Sequence, residues 1–164
     1  MRTPFRIAVI GSGNTSQKVE EQAAEIGRHL AERGAILLSG GLGGVMEAAC
    51  QGATQSGGLT VAFLPGLDAN SANSSVQIPL PTGLGHARNL LVVTGAEAVI
   101  ALDGSLGTLS EIALAAIHDR PVIGLNTWDL DSARTRGFQV ETASSPQEAV
   151  LRALARAEEK RSDS

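Results

Sequence analysis

Arg6-Ile-Ala-Val-Ile-Gly11-Ser-Gly-Asn-Thr-Ser16 decides how the chain is read. Five residues of strand character run into a turn of glycine and small polar residues. Gln17 to Arg33 then carries apolar groups at Val19, Ala23, Ile26, Leu30 and Ala31, the spacing of one helix face, with Gly34 as a natural stop. The pattern recurs downstream. Ala35 to Leu38 predicts a second strand, ended by Ser39-Gly40-Gly41, and Val45 to Gln55 a second helix. Thr60 to Leu64 predicts a third strand, closed by Pro65-Gly66. Glu97 to Leu102 and Pro121 to Leu125 predict two more, with a helix from about Thr108 to His118 between them. Ser145-Pro-Gln-Glu148 is a capping box with proline at the first helical position, and a last helix starts there.

Strands apolar along their whole length belong to a sheet covered on both faces. Strand–helix alternation implies parallel order and right-handed crossovers. The expected fold is α/β: a Rossmann-like, doubly wound, mainly parallel sheet with helices on both faces. A single phosphate- or nucleotide-binding domain is expected over residues 1–157, followed by a charged, frayed tail at 158–164. Leu67 to Gly83, rich in Ser, Asn, Pro and Gly, predicts a long functional or mobile loop.

Composition narrows the function classes. The chain has 164 residues, of which 43% are apolar and 18% charged, with mean hydropathy +0.07, enough to build one real core. Thirteen Lys+Arg against 17 Asp+Glu leave a net charge of −4. Without a basic run or any tyrosine there is no stripe to follow a nucleic-acid backbone and no series of stacking aromatics, so nucleic acid is not expected as a partner. No apolar run reaches the ~18 residues that span a bilayer. The start, Met1-Arg-Thr-Pro-Phe5, lacks the apolar stretch of a signal peptide. A lone Cys50 forms no internal disulfide, and the expected location is the cytoplasm.

Ligands of open parallel sheets sit beyond the carboxyl ends of the strands. Three strands end there in glycine-rich turns that each open a helix: Gly11-Ser12-Gly13, Gly40-Gly41-Leu-Gly43-Gly44 and Gly104-Ser105-Leu-Gly107-Thr108. Glycine admits close backbone approach, and helix N-termini offer free N–H groups and a positive dipole end. Side by side they would form a crevice for a phosphorylated small molecule. The first turn is not a dinucleotide fingerprint, because Ser16 stands in the place of the third glycine and the second strand ends without an acidic residue. No Gly-Lys-Ser/Thr occurs, and Lys18 and Lys160, the only lysines, are not placed to hold pyridoxal phosphate.

Arg88 precedes apolar residues at a helix start, where the dipole disfavours a cation; a bound anion or a carboxylate would resolve the conflict. Glu111 lies three residues after Thr108. The pair reads either as a capping box or as a carboxylate facing the crevice and Arg88. Glu47, in the first turn of the second helix, either complements the dipole or contacts ligand. Asp103 caps a turn or contacts ligand. His86 is read as a structural hydrogen-bonder and Cys50 as a small core residue. Met46, Thr82 and Asn89 complete the candidate set. No metal ligands are assigned.

Gly40-Gly-Leu-Gly-Gly-Val-Met-Glu47, Thr82-Gly-Leu-Gly-His-Ala-Arg88-Asn89 and Gly104-Ser-Leu-Gly-Thr-Leu-Ser-Glu111 together resemble a Rossmann-like superfamily. Its members include the LONELY GUY cytokinin-activating phosphoribohydrolases, proteins long labelled "lysine decarboxylase", and the molybdenum cofactor carrier proteins. The resemblance runs from Arg6 to Leu125. The hydrolase branch carries Pro-Gly-Gly-x-Gly-Thr-x-x-Glu and Met-His-x-Arg-Lys, and its catalytic arginine and glutamate have counterparts in Arg88 and Glu111. Its Pro, second Gly and Lys are replaced here by Asp103, Ser105 and Asn89. The Gly-Gly-x-Gly-Gly-Val-Met-Glu and Ala-Arg-Asn forms are closer to the carrier-like branch.

Two readings follow from the resemblance. One is a binding or carrier protein for a nucleotide or molybdenum cofactor, with no cofactor required. The other is a nucleoside monophosphate phosphoribohydrolase, with Glu111 stabilising an oxocarbenium-like centre or activating water and Arg88 holding phosphate. A homo-oligomer, dimer or tetramer, is expected as well. Leu109 to Ile117 and Leu90 to Val93 are more apolar than one buried face requires, so a neighbouring subunit or the last helix must cover them.

Overall fold

The computed structural model describes residues 3–163; Met1, Arg2 and Ser164, which enter the readings of the start and the tail, lie outside them. In chain order the elements are β1 (Arg6–Gly11), α1 (Gln17–Glu32), β2 (Ile36–Ser39), α2 (Val45–Gln55), β3 (Thr60–Leu64), β4 (Ile78–Pro81), α3 (Asn89–Gly95), β5 (Ala98–Leu102), α4 (Leu106–Ile117), β6 (Val122–Leu125), β7 (Glu141–Thr142) and α5 (Pro146–Ser162). Short 3₁₀ turns occupy Ala69–Ser71 and Gly85–Arg88. All seven strands pair in parallel, in the order β4-β3-β2-β1-β5-β6-β7. The doubly wound α/β expectation is met.

Helices α1, α2 and α5 cover one face. Ile26, Leu30, Val45, Ala49, Val150 and Ala153 pack there on Ile7, Val9, Ile100 and Ile123. Helices α3 and α4 cover the other, where Val92, Val93, Ile112 and Ala115 meet Ala8, Ile10, Val99 and Val122. Strand order turns back at β1, with β2 on one side and β5 on the other. At such a reversal the crossovers diverge and leave a crevice beyond the strand ends.

Three boundaries differ from expectation. The stretch from Leu67 to Gly83 is not a featureless loop: it contains β4, the edge strand Ile78-Pro-Leu-Pro81 paired to β3. Two prolines conceal that strand in the sequence, and only an edge position tolerates them. Helix α4 starts at Leu106 rather than near Thr108, with Ser105 as its N-cap. Helix α5 runs beyond residue 157 to Ser162, and Arg161 near its end is anchored. Its guanidinium bonds both oxygens of Glu97 and donates to the carbonyls of Thr3 and Pro4, at 2.6 and 2.9 Å, while lying 4.0 Å above the Phe5 ring. Among the described residues no helix is long and apolar enough to cross a membrane.

Candidate functional site

The first three glycine-rich turns meet where the strand order reverses. The Val45 N–H donates to the Ser12 carbonyl at 3.0 Å, joining the first turn to the second. Gly44 permits this approach: its φ is +62°, and a Cβ there would stand 2.3 Å from the same Ser12 oxygen. Thr15 Oγ1 donates to Asp103 Oδ2 at 2.6 Å, joining the first turn to the third. The segment after β3 supports the second turn from outside. Asn73 donates from its backbone to Gly41 O and from Nδ2 to Leu42 O, both at 2.9 Å.

The three helix ends are not equivalent. Ser16 caps α1 with its own hydroxyl, which accepts from the Val19 N–H. At α2 the N-cap is Gly44, and no side chain caps the helix. The Val45 N–H is already given to Ser12 O, and the next N–H groups of the α2 end, those of Met46 and Glu47, have no side-chain cap. At α4, Ser105 N–H donates to Thr108 Oγ1 at 3.2 Å. Thr108 thus caps backward onto Ser105, and the capping-box reading of Thr108 with Glu111 is overturned. The helix begins two residues earlier, which carries Glu111 past the first turn and onto the inward face.

Arg88 ends the 3₁₀ turn that leads into α3, and only 8% of its surface is exposed. Its Nη2 lies beneath Gly40, where a Cβ would stand 2.7 Å from Nη2 and 2.9 Å from Met46 Sδ. Its Nη1 donates to Asn89 Oδ1. Asn89 Nδ2 donates to Ser110 Oγ at 2.9 Å, and that hydroxyl donates to Gly107 O at 2.7 Å. Arg88 Nε is buried with no hydrogen-bond partner among the described residues. A buried, unmatched guanidinium donor costs free energy unless something fills it.

Glu111 is 6% exposed, and its Oε1 lies 3.9 Å from Arg88 Nη1. Burial pushes its carboxyl up to about 7, while the Arg88 charge pulls it back. Burial in turn lowers Arg88, which the Glu111 charge opposes. Desolvation dominates at both groups, because 3.9 Å is beyond hydrogen-bond reach and the pair compensates itself only in part.

The structure thus brings Gly13, Gly40, Met46, Arg88, Asn89 and Glu111 into one neighbourhood, since Met46 Cε also approaches Gly13. Glu47 is exposed on the first turn of α2, and a Cβ added at Gly43 would stand 4.0 Å from its Oε2. Thr82 is committed to structure: its hydroxyl donates to Leu64 O at 2.7 Å and accepts from Leu84 N–H. His86 is exposed, and Cys50 is buried in the core with its thiol pushed up by burial. Sequence reasoning missed Thr127 and Trp128, which follow β6. Thr127 Oγ1 donates to Asp103 O, and Trp128 Nε1 donates to Ser105 O at 3.2 Å, so both hold the third turn. Their position, directly after a parallel strand, was the available signal. A cavity of about 970 Å³ lies away from the crevice, between α4 and the segment around Phe138.

The family model of the SLOG cluster4 family matches residues 4–155. A protein of Archaeoglobus fulgidus called only "uncharacterized protein" is 42% identical over 121 residues, 74% of this chain and 80% of its own length. The molybdenum cofactor binding protein of the phototrophic bacterium Rippkaea orientalis superposes with a TM-score of 0.87 at 38% identity, covering 94% of this chain and 98% of that one. The Moco carrier protein of Chlamydomonas reinhardtii superposes with a TM-score of 0.83 at 33% identity, over 96% and 99% of the two chains.

Proposed function

The chain belongs to the SLOG cluster4 family, and from that premise we propose that it binds and carries a phosphorylated small molecule, a nucleotide or the molybdenum cofactor. The similar solved proteins support a ligand-binding or carrier role. The observation that carries the proposal is Arg88: a buried guanidinium with an unmatched Nε, lodged under Gly40 and beside the uncapped start of α2. An anion in the crevice would supply the missing acceptor, and a guanidinium suits phosphate because its planar fork can donate twice. Glycines 13, 40, 43 and 44 carry no side chain between backbone and such an anion, whereas the Gly41 N–H is already given to Ser39 Oγ at 3.1 Å.

Glu111 favours a second reading. A buried carboxyl raised to about 7 and sharing a site with a cation is what a phosphoribohydrolase would use to serve an oxocarbenium-like centre. The absence of the hydrolase branch's Pro, second Gly and Lys argues for carriage over cleavage. Mass spectrometry of the ligand retained through purification tests the first reading, and release of free adenine from 5′-AMP tests the second. A carrier returns a bound phosphorylated compound and no adenine.

The proposal extends to a cytoplasmic homo-oligomer assembled through α3 and α4. Helix α5 lies on the opposite face of the sheet and so does not cover α4, which is flanked only in part by the segment carrying Leu130 and Phe138. Leu106 is 78% exposed and Ile117 73%, a surface suited to a second copy of the chain.

A further inference from the structure

Four aromatic side chains exist in this chain: Phe5, Phe63, Phe138 and Trp128. Phe5 stands at the amino end of the sheet under Arg161. Phe63 and Phe138 pack against the core on the α3–α4 face. Trp128 is different. It follows β6 at the carboxyl edge of the sheet, beside the third glycine-rich turn, and keeps 38% of its surface exposed. It is also fixed. Its Nε1 is tied to Ser105 O, and its ring edge rests on Gly104, where a Cβ would stand 2.7 Å from Nε1 and 2.8 Å from Cδ1. Thr127 Oγ1, bonded to Asp103 O, holds the neighbouring backbone. The other groups gathered at the crevice are glycines, the Met46 thioether, the Asn89 amide and the charged Arg88 and Glu111, and none of them is an aromatic ring.

Resting on the proposed ligand-binding role, we infer that Trp128 is a specificity-determining residue: its indole stacks on the planar heterocycle of a phosphorylated ligand whose anionic end lies toward Arg88. Gly104 is part of this device, since any side chain there would displace the indole. The crevice therefore selects for ring-bearing phosphates, a nucleobase or a pterin, over bare sugar phosphates. A preformed aromatic wall gains most from such a ring, because no side chain has to be ordered on binding.

Trp128 is the only tryptophan and there is no tyrosine, so its emission reports the site directly. Wild-type protein, Trp128→Phe and Trp128→Ala are titrated with 5′-AMP, 5′-GMP and neopterin monophosphate, and with ribose 5-phosphate as the ringless control. Calorimetry gives affinities, and circular dichroism checks the fold. A ring-bearing probe should bind the wild type at least tenfold more tightly than ribose 5-phosphate and quench the emission. Trp128→Ala should abolish that preference by weakening the ring-bearing probe about tenfold while ribose 5-phosphate changes less than twofold; Trp128→Phe should stay within about threefold of wild type. Equal affinity of the wild type for ring-bearing and ringless phosphates overturns the stacking role while leaving the anion site standing. So does a uniform loss with all probes in Trp128→Ala. Failure of every probe to bind the wild type overturns both.

Discussion

Arg88 Nη1 and Glu111 Oε1 stand 3.9 Å apart inside the protein, close enough to attract and too far to share a hydrogen bond. The two groups offset each other's charge without satisfying each other's donors and acceptors. That leaves the pair dependent on pH and on whatever else enters the crevice.

Glu111 titrates near 7 when folded and near 4.5 when unfolded, so the folded state holds the extra proton between those values. Stability therefore falls as pH rises from 4.5 to 7 and is level above it, a loss of about 3 kcal/mol at about 1.4 kcal/mol per pH unit. The melting temperature of the ligand-free protein should drop between pH 5 and pH 8. In Glu111→Gln this particular drop should disappear. A wild type and variant with parallel profiles would show that Glu111 is not the titrating group.

Arg88→Ala should keep the fold and weaken binding of a phosphorylated ligand at least tenfold. A charge-assisted hydrogen bond contributes about 1.5–3 kcal/mol, and tenfold corresponds to about 1.4. Calorimetric titration with 5′-AMP or another phosphorylated ligand measures it. Unchanged affinity would remove Arg88 from the site.

Two glycine substitutions should separate binding from folding. In Gly40→Ala the new methyl meets the movable ends of Arg88 and Met46, so the protein should fold with a melting point within a few degrees of wild type and lose ligand affinity. In Gly44→Ala the methyl meets the Ser12 carbonyl at 2.3 Å from a left-handed backbone. Nothing there can move aside, and a destabilisation of about 3 kcal/mol or more is expected in a denaturant titration.

Sedimentation at micromolar concentration should return at least twice the 16.8 kDa chain mass. Ile117→Glu combined with Leu106→Glu should shift it toward the single-chain value without changing helical content, because both side chains are mostly exposed in one chain. A wild type that sediments as one chain would leave the α4 surface without its expected occupant.

Five of the seven strands were legible because each is a short apolar run bounded by glycine or proline. Strand β4 was not, since Pro79 and Pro81 argue against any strand in a local reading; only the edge of a completed sheet makes room for them. Strand β7 has two residues and no pattern to detect. At the site, the crevice and Arg88 follow from turn chemistry and the helix dipole. The placement of Glu111 did not, because a two-residue shift in the start of α4 turns a cap into a buried partner. Trp128 was invisible for a related reason: a residue beyond the last strongly patterned strand gains its meaning only when β6 is seated beside β5.

The prolines of β4 have one more effect. Thr82 N–H points inward to Leu64 O, so by the two-residue alternation of a strand Pro79 and Pro81 occupy the positions whose N–H would point outward. The outer rim at this end of the sheet thus offers no amide donor to a newcomer at those positions, although Ile78 and Leu80 beside them are exposed and sticky. Edge-to-edge polymerisation, the usual hazard of an open parallel sheet, is chemically blocked along this border. Replacing both prolines with threonine restores two outward amide donors to that rim, and a rise in light scattering of the variant over wild type at equal concentration is the expected result.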